Sequence, residues 1–296
     1  MQIGSILNEK YRIDKFIGKG GTGYVYLCTN IELGNKWALK HIPSDKINDI
    51  TMSEIDILKK LYHLSLPRIV DVFRNEQGIY IVESNIEGTA LDILLRKHGS
   101  FEIDKVTDWF LELCDILNYL HSTKSRPIIY RDMKPSNIIL TQGGRLVLVD
   151  FGISREYFEY DLKDTVLTGT SAYAAPEQLI KGGRTDPRTD IFNLGITMYH
   201  LLYGSLPGSD DNRISYIKGK AAAKVGRIIS KCMENKPEDR YQRVEDIQKE
   251  LRPVKNMLAA SQARQRVVFK LKIASVILMS MISYAISVWG YCKNTY

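Results

Sequence analysis

A chain of 296 residues, 44% hydrophobic and 25% charged, can bury one large or two modest cores, and it has no low-complexity tract or internal repeat. Its four cysteines, Cys28, Cys114, Cys232 and Cys292, form no CxxC pair, which argues against a disulfide scaffold or a zinc site and suits a reducing cytoplasm. The formal charge of +7 belongs to a tail: beyond Glu250 there is no acidic residue, while Arg252, Lys255, Arg264, Arg266, Lys270, Lys272 and Lys293 are basic. Residues 1–251 are therefore formally neutral, and the charge balance gives no reason to expect a nucleic-acid partner.

The N-terminal stretch "MQIGSILNEKYRIDKF" has no long apolar core, so no signal peptide is expected. Residues 11–42 alternate apolar and polar side chains as strands do, interrupted by Gly18, Gly20, Gly21 and Gly23. Glycines at a strand–turn–strand let the backbone offer its N–H groups to an anion. A dinucleotide fingerprint is excluded because it needs a helix directly after the glycines, and here Val25 and Tyr26 continue a strand. "WALK" places Lys40 in a strand-like run. Fourteen residues on, Glu54 opens "EIDILKKLYHL", where Ile55, Leu58 and Leu61–Tyr62 recur at helical spacing.

The segment "IIYRDMKPSNIIL", residues 128–140, sets Arg131, Asp132, Lys134, Ser136 and Asn137 between two apolar runs. Polar groups there cost desolvation, so a chemical task at the turn is expected. Thirteen residues after Asn137, the β-rich run "LVLVDFGISR" stops at Asp150, Phe151 and Gly152.

In order, the glycine loop, strand lysine, helix glutamate, "YRDMKPSN", "DFG" and "AAPE" at 174–177 resemble the eukaryotic-type (Hanks-type) serine/threonine protein kinases over about residues 11–252. "KPSN" after the loop aspartate matches serine/threonine kinases, in a bacterial style. The resemblance implies an α+β, two-lobed kinase fold: a β-rich N-lobe at 1–84 with one helix, then a mainly helical C-lobe at 85–252. It implies phosphoryl transfer from Mg-ATP to protein serine or threonine hydroxyls, with Mn²⁺ as an alternative ion.

On that resemblance Asp132 accepts the hydroxyl proton and Lys134 neutralises the moving phosphoryl group. Asn137 and Asp150 hold the metal through oxygen, as a hard cation prefers. Lys40 holds the α- and β-phosphates and is fixed by Glu54. The ATP pocket takes in Ile17, Gly18, Lys19, Gly20, Gly21, Thr22, Gly23, Val25, Ala38 and Ile139, with the backbone of Ser84 and Ile86 reading adenine. Thr165 and Thr168 are the expected activation-segment phosphosites, met by Arg131. Thr170 bonds Asp132 and Lys134, Glu177 pairs with Arg240, and Asp190 braces the catalytic loop. Leu58, Val72, Tyr130 and Phe151 stack as an internal spine. One departure is Glu83, a carboxylate at the usually apolar position behind the adenine, which must find a partner or protonate.

The tail carries a second signal. "IASVILMSMISYAISVWGYC", residues 273–292, has no formal charge and as a helix is about 30 Å long, a bilayer's hydrocarbon thickness. The expected organisation is a basic juxtamembrane linker at 253–272 that can lie on anionic lipid, a transmembrane helix at 273–292 and a four-residue outer tail at 293–296, with no folded outer domain. Positive charge before the span places the large domain in the cytoplasm. Ser280, Ser283 and Ser287 share one helix side, which admits a homodimer through the span, as the kinase domain also does.

Overall fold

The alternation over residues 11–42 is realised as the strands of a six-stranded sheet. The computed structural model describes residues 1–19, 23–47, 55–56, 58–123, 127–150, 169–180, 183–208 and 219–294. Strands β1 (Ile6–Leu7), β2 (Tyr11–Lys19), β3 (Tyr24–Asn30), β4 (Lys36–Pro43), β5 (Ile69–Asn75) and β6 (Gly78–Ser84) lie in the order β1-β2-β3-β4-β6-β5, every pair antiparallel. The β3–β4 turn is closed by Asn30, whose Oδ1 accepts from the backbone N–H groups of Glu32 (3.0 Å) and Leu33 (3.1 Å). Gly23 is required by packing: a Cβ there would lie 2.0 Å from the carbonyl oxygen of His41.

Strand side chains alternate between faces, and the two faces of this sheet have different tasks. Tyr11, Ile13, Tyr26, Cys28, Leu39, Tyr80 and Val82 form one apolar cluster. The residues between them point the other way, where Ile42, Ile79 and Ile81 pack on Ile55. That second face also carries Ala38, Lys40 and Glu83, because Ala38 stands opposite Glu83 and Lys40 opposite Ile81. A buried lysine and a glutamate on an otherwise apolar face mark the wall of a cleft.

A second sheet, in the order β7-β8-β9, starts the other lobe with β7 (Gly88–Ala90), β8 (Ile138–Thr141) and β9 (Leu146–Leu148). Gly88 admits no side chain, since a Cβ would come within 2.5 Å of both Ile139 and the Leu140 carbonyl oxygen. Between β7 and β8 run α1 (Leu91–His98) and α2 (Ile103–His121). Helix α2 buries Val106, Trp109, Phe110, Leu113, Ile116, Leu117 and Leu120, the three-and-four spacing of a core-facing stripe. Helix α3 (Pro187–Tyr203) starts with Asp186 as its cap, Pro187 at its first turn and Thr189 closing the capping box; it ends at Gly204 in the left-handed region. Most of α3 is buried, so it is the central post of the lobe, with α4 (Lys220–Cys232) against it. The core joins Leu95, Phe110, Leu117, Leu194, Met198 and Ile229 across all of these helices.

Helix α5 (Val244–Asn294) is 51 residues long, about 76 Å. Its start belongs to the lobe: Val244, Ile247, Leu251 and Val254 are buried, and Leu258 packs on the core. Residues 253–272, expected as a linker, are helical without a break, so the packed lobe extends past 252 and the helix leaves it without a joint. Pro253 lies inside, where the missing N–H removes one helical bond. Beyond residue 266 the described side chains are exposed and largely apolar, including Val267, Phe269, Leu271, Ile277 and Met281. An 18-residue window there has a mean hydropathy of 1.7, so by length and composition the helix can cross a membrane. The Ser275 and Ser280 hydroxyls donate back to the carbonyls of Lys272 (2.8 Å) and Val276 (2.9 Å), as expected of serine in an apolar helix.

Candidate active site

The turn at 131–137 is held from below. Asp190, fully buried at the start of α3, accepts at Oδ2 from the Tyr130 N–H (2.9 Å) and at Oδ1 from the Arg131 N–H (2.7 Å). His121, at the end of α2, reaches Asp190 through Nε2 at 2.8 Å. Two oxygens thus clamp two consecutive amides, and Arg131 takes a left-handed φ of 66°, strained for a side chain of its size. The Thr197 hydroxyl donates to the Met133 carbonyl (3.0 Å), and the Gln178 amide to the Arg131 carbonyl (2.9 Å).

On this support, Asp132 is 7% exposed and its Oδ2 accepts from Lys134 Nζ (3.0 Å) and Asn137 Nδ2 (2.9 Å). Asn137 Nδ2 also donates to the Asp132 carbonyl (3.0 Å), and its side-chain oxygen accepts from the Ser136 hydroxyl (3.5 Å). The Val149 N–H donates to the Asn137 carbonyl (2.9 Å), tying the end of β9 to the turn and delivering Asp150, itself at φ 59°. Asp150 Oδ1 lies 2.5 Å from Lys40 Nζ of β4, across 110 residues of chain. Lys40 is 5% exposed. Lys40 and Asp150 thus meet between the two sheets, and the Val149–Asn137 bond ties the strand that carries Asp150 to the turn that carries Asp132, Lys134 and Asn137.

Other expected residues fall around it. Ala38 stands opposite Glu83, Val25 pairs with Lys40 and Gly18, and Ile139 pairs with Ala90. Ile17 is largely exposed, Lys19 ends β2, and Ser84 closes β6 with Ile86 two residues on. Glu83 lines a small pocket with Lys40, Leu58, Ile69, Ile81 and Asp150. Burial pushes its carboxyl up to about 7; Lys40 draws it down and Asp150 drives it further up. Gly20, Gly21, Thr22, Glu54, Phe151, Thr165 and Thr168 lie outside the described residues, as does the side chain of Thr170. Leu58 and Val72 meet in one cluster, and Leu58 also packs on the core that holds Tyr130, whose hydroxyl donates to the Val149 carbonyl. The Arg131 Nε donates to Thr185 (2.9 Å).

Below the cleft, Arg240 and Glu177 form a bidentate pair, Nη1 to Oε1 and Nη2 to Oε2 at 2.8 Å each. The remaining Arg240 N–H groups donate to the carbonyls of Glu234 (2.7 Å), Arg188 (3.0 Å) and Asn235 (3.0 Å). Burial works to raise the Glu177 carboxyl, but hydrogen bonds from Arg240 and Thr189 outweigh it and hold it below its usual range. Sequence reasoning missed Gln178, Thr197 and His121. Their only signal was a polar residue at a helix or turn position whose neighbours are buried.

A β-rich lobe and a helical lobe facing each other across a lysine, two aspartates and an asparagine define a two-lobed kinase fold. The family model described as protein kinase domain matches residues 11–274, and the chain belongs to the protein kinase family. The chain is 30% identical over 274 residues to a probable serine/threonine-protein kinase of Clostridium acetobutylicum, covering 86% of this chain and 41% of that protein. It is 32% identical over 214 residues to a probable serine/threonine-protein kinase of Dictyostelium discoideum, covering 71% and 46%. Against CBL-interacting protein kinase 11 of Oryza sativa subsp. japonica it is 30% identical over 236 residues, covering 77% and 45%. The chain thus spans less than half the length of these three relatives.

Proposed function

We propose that the chain is a serine/threonine protein kinase that transfers the γ-phosphoryl group of ATP to protein hydroxyls, and that its C-terminal helix anchors it in a membrane with the kinase lobes on the cytoplasmic side. The observation that carries this reading is the meeting of Lys40 and Asp150 from opposite lobes, 2.5 Å apart, beside a braced Asp132. The names of the relatives support serine and threonine as acceptors.

Phosphoryl transfer needs alignment and charge neutralisation more than covalent help. Asp132 orients the acceptor hydroxyl and takes its proton. Lys134, beside it, places positive charge where the transferred group carries negative charge. Lys40 leaves Asp150 to hold the donor's phosphates. Asn137 and Asp150 are the residues that would hold Mg²⁺ or Mn²⁺: both offer oxygen, and the Asn137 nitrogen is already spent on Asp132. When bound, the ion supplies neutralisation of phosphate charge. Thr165 and Thr168 serve as acceptors for autophosphorylation, favoured by confinement of copies to one membrane plane.

The test uses the full chain in detergent with Mg-ATP and a generic protein acceptor. Phosphoserine or phosphothreonine should form and should vanish with Asp132→Asn; a wild type that transfers no phosphate would overturn the reading. Fractionation of cells expressing the full chain against a chain truncated after residue 266 tests the anchor, and wild type in the soluble fraction would remove it.

A further inference from the structure

Asn193 lies on the buried length of α3, 1% exposed, and only one end of its carboxamide is engaged. Nδ2 donates to the Tyr173 carbonyl (2.6 Å) and to Gln178 Oε1 (3.1 Å). Oδ1 is enclosed, and among the described residues no donor reaches it. A buried carbonyl oxygen left unpaired costs free energy that an apolar side chain of the same size would avoid. What the asparagine adds at this position is its donor end.

Three backbone groups fix how that donor is used. The Tyr173 carbonyl can only accept, so the amide nitrogen of Asn193 must face it. The Ala175 N–H can only donate, so Gln178 turns Oε1 toward it (2.9 Å). The Arg131 carbonyl then receives Gln178 Nε2 (2.9 Å). With the Gln178 amide reversed, its nitrogen would face two donors, and its oxygen would meet the Arg131 carbonyl oxygen.

The effect is felt at the residue before Asp132. Arg131 holds its left-handed φ of 66° with its N–H on Asp190 Oδ1 (2.7 Å) and its carbonyl on Gln178. Asp190 and Asn193 are about one turn apart on the same face of α3. One rigid helix therefore grips Arg131 twice, directly at the N–H and through Gln178 at the carbonyl. Thr197, a further turn along that face, holds the Met133 carbonyl on the other side of Asp132 (3.0 Å).

We propose that Asn193 is a positioning residue for phosphoryl transfer: by donating to Gln178 it fixes the amide that holds the Arg131 carbonyl, and so sets the direction of Asp132. This rests on the reading of Asp132 as the group that orients the acceptor hydroxyl.

The test is a double-mutant cycle on the full chain in detergent, with Mg-ATP and a generic protein acceptor. Asn193→Leu keeps the volume and removes the donor. Its kcat should fall about five- to tenfold, the equivalent of one lost hydrogen bond, with KM for ATP within about twofold of wild type. Gln178→Met should lower kcat by at least as much. In the Gln178→Met background, Asn193→Leu should lower kcat by less than about twofold, because the amide it acts through is gone. A side chain that only supports the fold would lower kcat by the same factor in both backgrounds, and that result would overturn the proposal. An Asn193→Leu protein with the wild-type kcat would overturn it too. Asn193→Ser, too short to reach Gln178, carries the same expectations where leucine prevents folding. A wild type that transfers no phosphate would overturn the kinase reading and this proposal with it.

Discussion

Two ion pairs hold this molecule together in opposite senses. Arg240 and Glu177 meet deep in the helical lobe: the arginine side chain is 0% exposed, and its N–H groups each find an acceptor among one carboxylate and three carbonyls. Lys40 and Asp150 meet between lobes, at the edge of the cleft, where the aspartate is 33% exposed. The first pair is geometrically locked by a planar fork; the second joins a flexible ammonium to a carboxylate that water and phosphate can reach. The contrast separates a bond enclosed in the fold from one that stays open to solvent at the cleft.

Breaking the open pair should give the largest effect, and on chemistry alone. Lys40→Met is expected to lower phosphate transfer by about 10²–10³-fold, the range for removing one preorganised charge partner. Its melting temperature should stay within about 2 °C of wild type, as expected for a partly exposed pair. Equal losses of activity and melting temperature would erase the distinction between the two pairs.

Arg240→Ala should do the reverse. Leaving Glu177 buried without its partner costs about 3–5 kcal/mol, a fall of roughly 10 °C in thermal denaturation for a lobe of this size. Arg240→Lys should recover only part of this, because an ammonium cannot serve the same set of acceptors.

The locked pair also predicts an acid limb. Glu177 is held below its unfolded value of 4.5, so it contributes stability above that pH and loses it as pH falls through the lowered folded value. Denaturant titrations from pH 6 to pH 3 should show that loss. Glu177→Gln should be less stable at pH 6 and show a shallower decline toward pH 3. A decline as steep as in wild type would assign the acid limb to other groups.

The smallest effect is expected at the link between the two regions. Gln178→Ala removes the amide's bond to the Arg131 carbonyl together with the two that its oxygen accepts from the Ala175 N–H and Asn193 Nδ2, at about 1 kcal/mol each. Its signature should be a reduced kcat with little change in KM for ATP, since the catalytic turn is loosened rather than the nucleotide wall.

What could be read from the chain depended on how local the physics was. Asp132, Lys134 and Asn137 stand within six residues, and their mutual bonds follow from one turn, so the sequence announced them as a group. Lys40 and Asp150 were joined only by family resemblance, since no periodicity connects positions 110 residues apart. Gln178, Thr197 and His121 were invisible because each acts on a backbone carbonyl or a carboxylate brought close by packing. Gly23 was noticed for a glycine's freedom near phosphate, whereas a carbonyl in the neighbouring strand is what forbids a side chain there. The basic stretch 253–272 was legible as a short connection but not its conformation: "MLAASQARQRVVFKLK" is rich in good helix formers and extends a helix already nucleated by burial of Leu251 and Val254.

That unbroken α5 has a mechanical consequence. With its far end in a bilayer, as proposed above, the fourteen residues between Leu258 and the apolar stretch act as a stiff mast about 20 Å tall. On that anchoring the base of the lobes stands about two Debye lengths above the lipid charge, and its heading is set by the turn of the helix. Adding one alanine at residue 260 would turn the lobes by about 100° while lifting them only about 1.5 Å. Targets docked in the membrane plane would feel the heading far more than the height.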